Sequence, residues 1–215
     1  MIQDSAYPNT HVPLFNLGLL AFLAGAATAQ AEPEVRSRDA GSLWARGTAG
    51  PAYLAGTYSQ TEDSPAGRRT YAGTVDGPGA ELSFAAGPLL APALGIGGYL
   101  DIGMFGAGTK MGLTTASMPY QASLGVLFSL AATDELYSSA SVGAAQVGWL
   151  SGSRAAVAGA PRLAGRLRGP LAALSAGWFG GSLGFEGRLA YSHVFGDDAD
   201  LESLIFGIAF AAQHW

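Results

Sequence analysis

The stretch "LGIGGYLDIGMF", Leu94 to Phe105, decides how this chain is read. It is apolar enough for a membrane or a core, yet it carries Asp101 and four glycines. With a period of two it separates into Leu94, Ile96, Gly98, Leu100, Ile102 and Met104 on one face and Gly95, Gly97, Tyr99, Asp101 and Gly103 on the other. One face is greasy and the other is small and polar. A half-buried strand of a soluble protein shows the same alternation, so the question becomes whether the greasy face meets protein or lipid.

Composition points to lipid. Charged residues make up 13% of the 215, with 32 glycines and positive mean hydropathy, against about 25% charge in ordinary soluble domains. In the body of the chain Gly, Ser, Gln or a charge interrupts every apolar run before the roughly 18 residues that a spanning helix needs. A formal charge of −5 with a single Lys excludes a basic nucleic-acid surface. With no cysteine there is no disulfide framework, thiol chemistry or Cys-ligated metal.

The N-terminal run "VPLFNLGLLAFLAGAATAQA", Val12 to Ala31, has the apolar centre and small-x-small ending of a secretory signal peptide. Residues 1–31 are read as that signal, 32–41 as a flexible mature N-terminus and 42–215 as the barrel. The first eleven residues hold no Lys or Arg, which leaves a misassigned start or an uncleaved anchor as the alternatives.

From Gly41 onward the chain divides into eight segments of about a dozen residues bounded by Gly, Pro, Asp and Ser, the spacing of transmembrane β-strands. They are Ser42–Tyr58, Val75–Gly87, the opening stretch, Met118–Leu130, Leu136–Leu150, and three that begin at Gly169, Ser182 and Glu202. Short turns ("PLLAP", "AATDE", "GGS") alternate with long polar connections ("SQTEDSPAGRRT", "GTKMGLTTAS", "SGSRAAVAGAPRLAGR"), as outer-membrane barrels alternate periplasmic turns and extracellular loops. The last connection, "GDDADL", is short. Within the strands Arg46, Glu81, Asp101, Glu186 and Arg188 all fall opposite the apolar face. A lipid-facing charge at mid-bilayer costs about 2–4 kcal/mol, whereas a lumenal one can pair or hydrate. The expectation is an all-β, eight-stranded antiparallel up-and-down barrel whose five charges pair in a packed polar lumen. A soluble lipocalin-like barrel is the fold alternative, and it places Leu94, Ile96 and Leu100 inside.

On the segments "GSLWARGTAGPAYLAGT", "GAELSFAAGPLLAPALGIGGYLD" and "LESLIFGIAFAAQHW" the chain resembles the small outer-membrane β-barrel proteins of Gram-negative bacteria, the group of OmpA-like and OmpX-like eight-stranded barrels. The resemblance runs from about Gly41 to Trp215. It implies a cell outer-membrane location, contact with outer-membrane lipid and lipopolysaccharide, and recognition of the C-terminal strand by the barrel-insertion machinery. Trp215 is similar to the terminal aromatic of that signal but stands out of frame with Leu204, Phe206, Ile208, Phe210 and Ala212, so a bulge near Gln213 or a degenerate signal is expected.

Candidate chemistry is sparse. Ser192 and His193 are adjacent, so strand geometry sends them to opposite faces and denies a nucleophile–base pair. No metal or cofactor site emerges, and the acidic "DDAD" tip, Asp197 to Asp200, reads as solvated. The long loop holding Arg154, Arg162, Arg166 and Arg168 contains no acid between Ser151 and Gly169, so these arginines are candidates for lipid phosphates. The functional expectation is a monomeric, non-enzymatic barrel with a structural, adhesive or surface-interaction role. A lipid-modifying acyl hydrolase and a narrow pore are the alternatives.

Overall fold

The structure, a computed structural model, describes residues 40–214 except 66, 107, 111–113, 116–118, 150–153 and 156–165. The proposed signal, the tail through 39 and Trp215 therefore lie outside the described residues. The strands are β1 (Leu43–Ser64), β2 (Gly67–Ala91), β3 (Leu94–Phe105), β4 (Gly108–Lys110), β5 (Thr114–Thr115), β6 (Pro119–Ala131), β7 (Leu136–Trp149), β8 (Arg154–Ala155), β9 (Leu167–Gly180), β10 (Leu183–Phe195) and β11 (Ala199–His214). Each of the eight long strands pairs antiparallel with its neighbours, and β1 pairs with both β2 and β11, so the sheet closes into an up-and-down barrel. The short β4 extends the β2 edge, and β5 pairs with β8.

The register sets the barrel's shape. Following partners from Ala45 through Ala86, Gly98, Val126, Val142, Ala172, Tyr191 and Leu204 returns to β1 at Ala55, ten residues further along. An eight-stranded barrel with that stagger has strands tilted by about 40° and an interior that side chains fill. Glycines on the inner face admit the bulky ones: a Cβ on Gly95 would stand 2.6 Å from Trp44 Nε1, and one on Gly143 would stand 2.6 Å from the Tyr99 hydroxyl. The β9–β10 turn is as tight because Gly181 takes φ of 83°.

In the opening stretch Leu100 is 45% exposed on the outside while Asp101 is 3% exposed inside. Phe84, Leu124, Val142 and Phe210 continue the outward apolar belt around the barrel. The lipocalin-like alternative is thereby excluded, since it requires Leu94 and Leu100 to be buried and both are exposed.

Three details differ from the sequence reading. The polar connection "SQTEDSPAGRRT" is not a loop: β1 and β2 continue through it in unbroken register to Ser64 and Gly67, with Glu62 opposite Arg69 and Asp63 opposite Arg68. Alternating Thr, Tyr and Gln side chains suit a strand there, and opposite charges face each other across it. The β1–β11 register runs without a shift to Ala45 and His214, so no bulge occurs at Gln213.

The third difference is that the lumen is not polar throughout. Toward the long-loop end the alternation inverts: Leu54, Tyr58 and Val75 point inward into an apolar cluster with Phe105, Leu167, Val194 and Leu201, while Thr57, Thr74, Asp76 and Glu202 face out. Water outside the wall calls for this arrangement, just as lipid calls for its opposite, so the inversion marks the membrane surface.

Leu100→Arg is expected to abolish assembly, since it places a cation in the belt at roughly 2–4 kcal/mol, whereas Asp101→Asn assembles. The folded fraction in lipid, scored by the mobility of unheated against heated samples on a gel, checks the pair; equal tolerance would contradict the facing assignment.

Candidate functional site

The strands deliver their charged side chains to one lumenal layer, and inward alternation is the reason each arrives there. Nearer the short-turn end, Arg46 of β1 lies with its guanidinium carbon 4.5 Å from the Tyr137 ring centre and 5.9 Å from that of Trp44. Its Nε is 3.4 Å from Glu186 Oε2, and its Nη2 donates to Ser139 Oγ at 3.1 Å. The Tyr137 hydroxyl donates to the same Glu186 oxygen, and the Ser139 and Ser175 hydroxyls are 2.6 Å apart. Toward the barrel middle, Arg188 of β10 bonds Glu81 of β2 through Nη1 and Asp101 of β3 through Nη2, the latter at 2.5 Å. Ser123 Oγ donates to Asp101 Oδ2 at 2.9 Å.

The two arginines thus divide the three carboxylates: Arg188 takes Glu81 and Asp101, and Arg46 takes Glu186. Each carboxylate comes from a different strand, and the Arg188–Asp101 pair reaches from β10 to β3, four strands away around the ring. Among these side chains the cavity lined by Ser83, Ser141, Ala173 and Leu174 measures ≈ 10 Å³, about the room one water needs on that measure. Above it Ser192 bonds Ser203 at 2.8 Å, and beyond these comes the apolar cluster, where Tyr58 and Trp149 meet edge to face at 6.1 Å.

The outer rim holds a second group. His193 faces out with its ring 6.1 Å from that of Phe195, Tyr191 donates to Glu202, and Tyr53 donates to Asp76 at 3.2 Å. Arg168 Nε donates to Gln146 Oε1 at 3.1 Å, and Arg166 is exposed. Arg162 lies outside the described residues, and Arg154 is described only as a strand position in β8. Ser192 is buried in the lumen while His193 is exposed, on opposite sides of the wall, and the β10 register passes through both without a bulge. Asp197 and Asp198 are exposed, and Asp200 accepts from Ser59 Oγ at 2.5 Å.

Sequence reasoning did not single out Trp44, Tyr99, Tyr137, Ser139 or Ser175. In the segments now seen as β7 and β9, Ala, Ser and Gly occupy both faces, which hides the inward register. The signal that could have revealed it is the shared parity of Tyr137, Ser139 and Ser141 opposite Val142.

No protein-family model and no curated protein matches this sequence. Among solved structures the chain is similar to outer membrane protein OprG of Pseudomonas aeruginosa, at 12% identity over 84% of this chain and 99% of that one, with a TM-score of 0.53. It is also similar to outer membrane protein AlkL as determined by solid-state NMR in lipid bilayers, at 11% identity over 86% of this chain and 96% of that one, with a TM-score of 0.51. At such identities the likeness is one of fold, and that fold is the small outer-membrane β-barrel.

Removing Arg188 strands two buried carboxylates. Arg188→Met should lower unfolding stability by about 3–5 kcal/mol, and adding Glu81→Gln and Asp101→Asn should recover most of the loss. Urea titration of the lipid-refolded barrel measures both; a triple variant no better than the single would refute the pairing.

Proposed function

We propose that this chain, having the fold of an outer-membrane barrel, works in the cell outer membrane as a monomer that presents a folded extracellular surface for interaction, without conducting solutes or catalysing a reaction. The observation that carries the reading is the side-chain packing across the barrel: the Arg188 ion pairs and the Ser192–Ser203 hydroxyl pair lie along the axis below buried Tyr58, Val75, Val194 and Leu201, and the cavity between Arg188 and Glu186 measures ≈ 10 Å³. A pore needs a continuous wet path, and the apolar cluster adds a dry barrier to the charged one.

Among the described residues, the first long connection is folded strand and not slack loop. The β1–β2 hairpin continues past the polarity inversion, supported from within by Tyr58 and Val75, and carries Glu62, Asp63, Arg68 and Arg69 at its exposed tip. A strand-paired ribbon with acids on β1 facing arginines on β2 suits recognition at a surface, because a preformed strand pair loses little ordering entropy on binding. Separation of Ser192 from His193 by the barrel wall supports a non-enzymatic reading. The strand β11, closing the barrel against β1, is the segment offered to the insertion machinery.

In planar lipid bilayers the purified protein should give no resolved conductance steps, and regular single-channel openings would favour the narrow-pore reading. The cysteine-free chain also allows a test of orientation. A thiol in Arg69→Cys should react with an impermeant maleimide on intact cells, whereas one in Ala132→Cys, in the β6–β7 turn, should react only after permeabilisation. The opposite pattern would invert the assigned topology.

A further inference from the structure

The outward rim of β9 carries two arginines that the lumenal network does not use. Arg166 and Arg168 flank Leu167, which is buried, so alternation sends both to the outside. Below Arg168 the outward positions on the same strand are Pro170, Ala172 and Leu174, so this arginine is the first charge above the apolar belt. Its register partners are Gln146 on β7 and Phe195 on β10, and His193 on β10 and Glu202 on β11 also face out. The polarity inversion falls at the same height, where lipid head groups begin.

The geometry favours an anion. Arg168 is held through Nε by Gln146 Oε1 at 3.1 Å, which leaves both Nη groups, the fork that clamps phosphate, without a partner among the described residues. Glu202 and Asp200, the β11 acids on this face, are bonded by the Tyr191 and Ser59 hydroxyls instead. The planar ring of Phe195 lies beside the site, as the acyl-to-head-group boundary prefers.

We infer that Arg166 and Arg168 form a binding site for the phosphate groups of a lipopolysaccharide molecule in the surrounding outer leaflet, with His193 and Gln146 at its border. The inference rests on the outer-membrane reading for the lipid's presence, but its chemistry can be examined apart from location. The guanidinium fork donates to two phosphate oxygens at once, and the acyl chains lie against the belt beneath Pro170 and Leu174. The occupant is annular, held at the wall and not in the lumen.

The test uses the full purified barrel in phosphatidylcholine nanodiscs containing lipopolysaccharide, or phosphatidylglycerol in its place, with retained lipid counted by native mass spectrometry after detergent extraction. Wild type should retain lipopolysaccharide, and Arg166→Gln/Arg168→Gln should retain roughly tenfold less. Phosphatidylglycerol, a phosphodiester, should be carried at background by both. Folding of each variant is read from the unheated gel band. If the double variant does not fold, Arg168→Lys, which keeps charge but loses the fork, should still weaken retention several-fold.

Equal retention by a folded variant would overturn the site. Arginine-dependent capture of phosphatidylglycerol would overturn the choice of lipopolysaccharide. Cell fractionation decides the outer-membrane reading separately, so a failure there leaves the nanodisc result interpretable.

Discussion

Closure of β1 against β11 is the contact on which the rest of the structure depends. A strand edge exposed to hydrocarbon leaves a row of N–H and C=O groups with no partner, each at several kcal/mol, so a sheet can span lipid only as a ring. Register with both β2 and β11 supplies that ring along β1 from Ala45 to Gln60. Once the ring is closed at eight strands, the interior is just wide enough for side chains to fill. The five charges and the large aromatics must then be fitted to one another. The ion pairs of Arg46 and Arg188 follow from closure, as do the small residues that make room for Trp44 and Tyr99.

The second organising fact is that the wall has two polarities. Through the belt, Leu82 and Phe84 face out while Glu81 and Ser83 face in; higher on the same strand, Thr74 and Asp76 face out while Val75, at 0% exposure, faces in. A single strand thereby records a passage from lipid to water. The lower lumen resembles a membrane-barrel interior, and the upper lumen resembles the core of a soluble barrel. Arg168, His193 and Glu202 gather on the outer face where the two meet.

Much of this was legible in the sequence. The opening stretch matches β3 end to end, because its alternation is sharp and Asp101 discriminates one face from the other. The five inward charges follow from the same rule. The β1–β2 extension was hidden, because Ser59 to Thr70 is polar on both faces and turn-rich in composition; only cross-strand pairing, with Glu62 meeting Arg69, makes it strand. The division of the charges into two sets was equally out of reach, since partners lie on strands separated by up to 140 positions, as Arg46 and Glu186 are. The apolar upper lumen was missed for a different reason: period-two reading assigns one apolar face per strand and does not anticipate a change of sign along it.

The central claim is that inversion, and the direct measurement is a nitroxide scan along β2 in lipid, with one label at a time at 74, 76, 78, 80, 82 and 84. Collisions with oxygen should dominate from 78 to 84 and collisions with a water-soluble nickel chelate at 76 and 74, with the change falling between Pro78 and Asp76. Uniform oxygen accessibility along the whole face, or chelate accessibility at 82 and 84, would contradict it.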